Sequence, residues 1–178
     1  MLWKMKKLLI LSIVAVSLIL SQSCLKIETL PAEPRIEFRS FTVSDTTDIL
    51  GNEAKAGKLV FYFEDGDGDV GEEVNELNPT ESSNLFPRLY RKVEGVMVPA
   101  TIDDPIHPSP YRIPYMARLG QNKILRGEIT VVLLYLFYEE SDTIMYDFYI
   151  RDRALHESNT ELTCEIPLYE NGTYTKSK

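Results

Sequence analysis

The chain has 178 residues, of which 27 are acidic and 19 basic, so its formal net charge is −8. This length fits one domain with short extensions, and a hydrophobic content of 44% is sufficient for a folded core. The negative charge argues against nucleic acid and anionic bilayer surfaces as electrostatic partners, because both would repel the protein. Ten tyrosines and seven phenylalanines favour strands over helices.

The first 23 residues predict a secretory signal peptide. Lys4, Lys6 and Lys7 precede an apolar run at residues 8–20, which is shorter than the ~20 residues that a membrane-spanning helix needs. A basic start, a short apolar run and small residues before the cleavage point are the parts of such a signal. Its removal takes away three lysines and no acid, which leaves the mature chain with a net charge of −11.

Cys24 follows this signal directly, in the sequence "SQSC". The sequence resembles a loose form of the cleavage box of bacterial lipoproteins, of the kind found in Bacteroidetes. The resemblance implies that Cys24 is acylated and becomes the mature N-terminus, so that the lipid holds the protein at a membrane. No acidic cluster follows Cys24, which in such lipoproteins implies an outer-membrane position facing the periplasm. Cleavage by an ordinary signal peptidase, with Cys24 unmodified, is the alternative.

Residues 24–34 carry two prolines and mixed polarity, which predicts a tether between the lipid and a domain. From residue 35 onward the hydrophobic pattern predicts strands and no helix. The predicted strands are residues 35–43 with a bulge near Arg39, 58–64, a hairpin at 87–100 turning at Glu94 and Gly95, 111–117, 123–138, 143–152 and 160–169. They predict an all-β fold, an immunoglobulin-like antiparallel β-sandwich of about seven strands over residues 35–170, followed by a tail at 171–178.

Two of these strands carry more detailed expectations. Residues 123–138 form the most apolar stretch of the mature chain, which favours a strand buried on both faces. Four residues separate them from 143–152, so the two strands are expected to be antiparallel neighbours. In 143–152, Ile144, Tyr146, Phe148 and Ile150 occupy alternate positions and should face the core.

Cys164 is the only cysteine besides Cys24. It alternates with Leu162, Ile166 and Leu168, which predicts a strand that points all four side chains into the core. A disulfide between Cys24 and Cys164 in an oxidising compartment is the alternative.

The most unusual segment is "FYFEDGDGDVGEEVNE", residues 61–76, which holds seven carboxylates and no basic residue. Asp65, Asp67 and Asp69 alternate with glycines, and this spacing is typical of a loop that wraps oxygen ligands around Ca²⁺. Glu76 stands at position twelve, where a calcium loop has its bidentate glutamate. Val70 replaces the expected glycine and a strand precedes the loop, so a helix–loop–helix site is not predicted. A solvated acidic turn without metal is the alternative.

Three functions are compatible with these features. The first is a non-catalytic, lipid-anchored binding or assembly module in the cell envelope, with a Ca²⁺-stabilised loop and an unidentified envelope protein or glycan as its partner. The second is a carbohydrate-binding accessory protein that uses Tyr90, Tyr111 and Tyr115. The third is a glycan hydrolase that uses acids of the same turn. His107 and His156 are the only histidines and are predicted as exposed loop residues, without the further ligands that a zinc site requires.

Several segments together resemble a group of small Bacteroidetes lipoproteins with an immunoglobulin-like sandwich and no assigned activity. They are the loose lipoprotein box, "FYFEDGDGDVG", "GQNKILRGEITV" and "YDFYIRDRALHESNT". In that group a strand runs into a loop rich in Asp and Gly, and a late strand ends in "DRA" followed by "SN". The resemblance implies the fold and the location and leaves the function open.

Overall fold

The computed structural model describes Trp3, Lys6 and residues 28–77, 82–117 and 123–176. Cys24 and nearly all of the predicted signal peptide lie outside the described residues. Among the residues that are described, no helix has the length and apolar character needed to span a bilayer.

The described residues form nine strands, numbered in chain order. They are β1 (Arg35–Thr47), β2 (Glu53–Asp65), β3 (Leu85–Val93), β4 (Val96–Pro99), β5 (Leu125–Tyr135), β6 (Thr143–Ile150), β7 (Glu161–Leu162), β8 (Ile166–Pro167) and β9 (Gly172–Tyr174). The first sheet has the order β5-β2-β1-β9. The second has the order β4-β3-β6-β7, and β8 also pairs with β6. Every pairing between these strands is antiparallel.

The predicted all-β antiparallel sandwich is therefore confirmed. Strands β1, β2 and β5 occupy the places of strands A, B and E of an immunoglobulin-like sandwich, and β4, β3, β6 and β7 those of C′, C, F and G. The core lies between the two sheets, where Phe41 stacks on Tyr146 and Phe61 packs against Phe148 with ring centroids 6.1 and 5.1 Å apart. Each of these pairs joins one sheet to the other.

The expectations for the strand predicted at residues 123–138 are wrong in two respects. Strand β5 is the edge of the first sheet and pairs only with β2, while β6 lies in the second sheet beside β3. One face of β5 is solvent-exposed, since Val132 and Leu134 are 62% and 51% accessible. Strands E and F of such a sandwich lie in opposite sheets. The short connection between β5 and β6 therefore passes from one sheet to the other instead of closing a hairpin. Outward-facing apolar side chains are common in proteins, which is why composition alone misled here.

Other details of the strands agree with the sequence. The pairing of β1 with β2 shifts register between Phe38 and Ser40, at the predicted bulge. Glu94 and Gly95 both have positive φ, as the tight turn of the β3–β4 hairpin requires. The alternating inward residues of β6 are fully buried.

Two predicted strands are shorter and less regular than expected. Residues 111–117 form only isolated bridges, through Tyr111 to Leu85 and through Pro114 to Glu72. The segment 160–169 leaves the sheet between β7 and β8, so its alternation is broken. Leu162 is consequently exposed at 44%, and Cys164 is half-buried against the core, where burial raises the pKa of its thiol.

Hydrogen bonds join the first residues of the domain to the loops at one end of the sandwich, where β2 and β6 end. Asn159 accepts a hydrogen bond from the Ile36 backbone N–H (2.9 Å) and donates one to the Ile36 carbonyl (3.0 Å), as a neighbouring strand would do. The Gly66 N–H donates to the Pro31 carbonyl at 3.0 Å. The residues of the predicted tether that are described therefore pack beside the loop that follows β2.

Candidate metal centre

Four aspartates from two loops meet at this end of the sandwich. Asp65 is the last residue of β2, Asp67 and Asp69 follow it, and Asp152 comes just after β6. Each contributes one carboxylate oxygen to a group whose atoms all lie within 4.8 Å of one another. Because β2 and β6 belong to opposite sheets, their ends face each other and bring together residues that are far apart in sequence.

The loop after β2 curls around the carboxylate of Asp65. The Oδ2 atom of Asp65 accepts hydrogen bonds from the backbone N–H groups of Asp69 (2.7 Å) and Val70 (3.0 Å). Gly68 has a φ of 68°, which the turn requires and which L side chains rarely adopt. Gly66 is needed for a different reason, since a Cβ atom there would lie 2.2 Å from the Pro31 carbonyl oxygen.

Asp152 is fixed by a turn of its own. Its Oδ1 accepts the backbone N–H of His156 at 2.7 Å, and its Oδ2 lies 2.9 Å from the His156 ring Nδ1. The neighbouring carboxylate favours the imidazolium form and raises the pKa of His156. His156 is thus more than an exposed loop residue, because it orients one carboxylate of the group.

Arg153 joins the two loops and a third segment. Its Nη1 donates to the carbonyl of Gly71 at 2.8 Å, and its guanidinium lies 5.0 Å from the centre of the Tyr115 ring. Its positive charge also partly offsets the rise in the pKa of Asp69. Arg153 therefore holds the β6–β7 loop, which carries Asp152, against the loop that carries the other three aspartates.

The electrostatics of the group remain unfavourable with His156 and Arg153 beside it. Asp65 and Asp152 are each only 1% exposed. Burial, together with Asp67, raises the pKa of Asp65 to about 6. Burial also raises the pKa of Asp69, and the charges of Asp152 and Asp67 raise it further. Among the described residues, the Oδ1 atoms of Asp65 and Asp69 are buried and accept no hydrogen bond, although buried carboxylate oxygens are normally satisfied.

A metal ion would offset the repulsion between the carboxylates and would also bind the buried oxygens that accept no hydrogen bond. Oxygen ligands stand at about 2.3–2.6 Å from Ca²⁺, so opposed ligands are about 4.6–5.2 Å apart. The observed spread of up to 4.8 Å among the four oxygens therefore fits one ion at their centre. The aspartate group could hold a metal ion.

The structure brings together three of the four predicted ligands, Asp65, Asp67 and Asp69, and adds Asp152. Glu76 is exposed and is not part of the group. The chain turns away after Asp69, and the backbone of Glu72 then bonds to Ile113 and Tyr115. The calcium-loop motif at residues 65–76 does not predict Asp152, which is distant in sequence. Its place in "DRA", at the end of a strand, was the available signal.

The three tyrosines proposed for sugar binding do not present a common exposed surface. The hydroxyl of Tyr90 donates to Asp147 at 2.9 Å, and Tyr111 packs against the core. Burial raises the pKa of Tyr111. Only Tyr115 is largely exposed, at 46%. His107 is half-buried, in the segment that precedes Tyr111.

Comparison of the chain with protein-family models, with curated proteins and with solved structures finds no match.

Proposed function

We propose that this protein is a non-catalytic, lipid-anchored module of a bacterial cell envelope, and that a Ca²⁺ ion joins the loops at one end of its β-sandwich. The observation that supports the calcium part of the proposal is the convergence of four aspartates from two loops, in which the buried Oδ1 atoms of Asp65 and Asp69 accept no hydrogen bond from the residues that the structure describes. Such groups are costly in a folded protein unless a cation shares them.

The donor set favours Ca²⁺ over other common metals. The group consists of carboxylates alone, whereas zinc sites in proteins normally use Cys or His. Mg²⁺ demands near-ideal octahedral geometry and usually keeps several waters, with one or two carboxylates from the protein. Ca²⁺ accepts six to eight oxygens in flexible geometry, so four aspartates can be completed by water or backbone carbonyls.

The role of the ion would be to hold the loops at this end of the sandwich in one conformation. The β2–β3 loop, the β6–β7 loop and the backbone near Pro31 meet at this site, and each is tied to another by a hydrogen bond. Loops positioned by a rigid sandwich are the usual binding surface of such folds. A calcium-ordered cluster of loops beside the tether would present a partner with a preformed surface.

The stability of the protein tests the calcium part of this proposal. Ca²⁺ at one hundred times its Kd should raise the free energy of unfolding by about 2.7 kcal/mol, because the ion binds the folded state only. For a chain of this size the midpoint should rise by roughly 5–11 °C. The measurement is thermal unfolding of the full-length protein in detergent, after chelator treatment and again with Ca²⁺. Superimposable curves would exclude the calcium site.

The lipid anchor is tested separately. Cys24→Ser should abolish incorporation of radiolabelled palmitate and move the protein from the membrane fraction to the soluble fraction, because a serine cannot form the thioether. Cys164→Ser is the matched control and should keep both the label and the membrane location. Label retained in Cys24→Ser would contradict the anchor and leave the calcium site untouched.

A further inference from the structure

A second site lies at the other end of the sandwich. It is a cavity of about 700 Å³ whose floor is formed by Lys55 and whose walls include Asp45, Glu53, Tyr138 and Tyr169. Lys55 and Asp65 are ten residues apart on β2, so the cavity is about 33 Å from the aspartate group along the strand. Its volume lies within the range of small-molecule sites in proteins.

The lysine at the floor is part of the structure and is not available to a ligand. Lys55 is 5% exposed, and its Nζ donates to Asp45 Oδ1 (2.6 Å), the Tyr169 carbonyl (2.8 Å) and Asn171 Oδ1 (3.0 Å). Three acceptors use all three N–H bonds of an ammonium group. The Nδ2 of Asn171 donates in turn to Asp45 Oδ2. These bonds fix the amide and the carboxylate in position on the cavity wall.

The formal charges of the wall select against ionic ligands. Asp45 is balanced by Lys55, and its pKa is lowered by the hydrogen bond from that ammonium. Glu53, which is exposed, leaves the cavity with one net negative charge. An anion would be repelled by Glu53, and a cation would gain only a solvent-screened contact with that exposed carboxylate, because Asp45 already bonds the buried ammonium. A neutral ligand that uses hydrogen bonds and ring contacts does not depend on these charges.

The tyrosines provide apolar faces beside these acceptors. The ring centres of Tyr138 and Tyr169 lie 5.8 and 5.5 Å from the Lys55 Nζ, and Tyr169 is 49% exposed. Among the described residues, neither hydroxyl makes a hydrogen bond, so both can donate or accept toward a ligand. An aromatic face next to several oxygen acceptors matches a molecule that has C–H bonds on one face and many O–H donors at its edge.

We propose that this cavity binds a neutral saccharide, with a sugar ring against the exposed face of Tyr169 and sugar hydroxyls donating to Asp45, Glu53 and Asn171. The site is separate from the aspartate group and does not depend on calcium. It also differs from the surface of Tyr90, Tyr111 and Tyr115, which the sequence suggested for the same class of ligand.

The experiment uses the full-length protein in a zwitterionic detergent without a sugar headgroup. It is screened on a glycan array, and N-acetylglucosamine and maltotriose are titrated by NMR up to about 10 mM, where a Kd of a few millimolar is still detected. At least one neutral saccharide should bind. Tyr169→Ala should weaken that binding about ten-fold or more, and Tyr169→Phe less than about three-fold, because the ring supplies the contact. Tyr115→Ala, at the opposite end, is the control and should leave the affinity for the saccharide unchanged.

Two further measurements separate this site from the calcium site and from ionic binding. Binding should persist in EDTA. It should also be unchanged when NaCl is raised from about 0.1 M to about 1 M, which shortens the Debye length from about 10 Å to about 3 Å. The proposal is overturned if no neutral saccharide binds, if only charged saccharides bind in a salt-dependent way, or if Tyr169→Ala leaves the affinity unchanged.

Discussion

Replacing Asp152 by Asn is expected to weaken Ca²⁺ binding on the order of 100-fold or more, whereas replacing Glu76 by Gln should leave the Kd unchanged. Asp152 is 1% exposed and supplies an oxygen to the group, while Glu76 lies outside it in an exposed turn. Removing one partner from a buried set of charges costs about 3–5 kcal/mol, and each 1.4 kcal/mol is a factor of ten in Kd. Both substitutions keep the size of the side chain and remove one negative charge.

The pair of variants distinguishes the folded site from the linear motif. Calcium affinity is measured by titration calorimetry on the full-length protein, after chelator treatment and in the same detergent. Thermal unfolding without metal serves as the control for folding, because Asp152→Asn removes a repelling carboxylate but also the pair with His156, and this measures their net effect apart from calcium affinity. Equal losses in Asp152→Asn and Glu76→Gln would mean that the acidic stretch binds cations diffusely. A loss in Glu76→Gln alone would favour the linear calcium-loop motif over the group seen here.

The fold was predictable in outline because apolar side chains alternate along its longer strands. The inward residues of β6 and the bulge of β1 followed from hydrophobic period and local sequence, which depend on near neighbours in the chain. The strand that pairs with β5 could not be predicted from these local patterns. Alternation gives which face of a strand is buried but says nothing about which strand lies beside it, and the apolar outer face of Val132 and Leu134 made the wrong partner plausible.

The metal site was likewise predictable only in part. Asp65, Asp67 and Asp69 are close in sequence, and glycines between them predict a tight loop, so their grouping was predictable. The fourth carboxylate comes from another loop, and only the packing of β2 against β6 places it there. Asn159 is a second example, since its bonds to Ile36 span 123 residues of sequence. Side chains that join distant loops leave no periodic pattern in a single sequence.

Between pH 7 and pH 5 the stability of the protein should depend on pH much more without calcium than with it. The folded-state pKa of Asp65 is about 6, above its ordinary value of 3.8. Between these values the folded state holds a proton that the unfolded chain has lost, so the metal-free protein should gain stability as the pH falls from about 7 to about 5. The raised pKa values of Asp69 and His156 act in the same direction. Asp45, Asp48 and Asp104 have lowered pKa values and oppose this only below about pH 4.

With calcium bound, protons and the ion compete for the same oxygens. A metal-free pKa of about 6 for Asp65 means that the Kd for Ca²⁺ should rise about ten-fold between pH 7 and pH 5 through this group alone. The same protonation stabilises the metal-free fold, so the two effects cancel, and the free energy of unfolding at a saturating, fixed Ca²⁺ concentration should change little through Asp65 over the range in which the metal-free protein gains stability. Urea unfolding at pH 7, 6 and 5 measures both curves, with the metal-free buffer passed over a chelating resin. Asp65→Asn should flatten the metal-free curve, and parallel curves for the two forms of the unmodified protein would show that calcium does not meet these carboxylates.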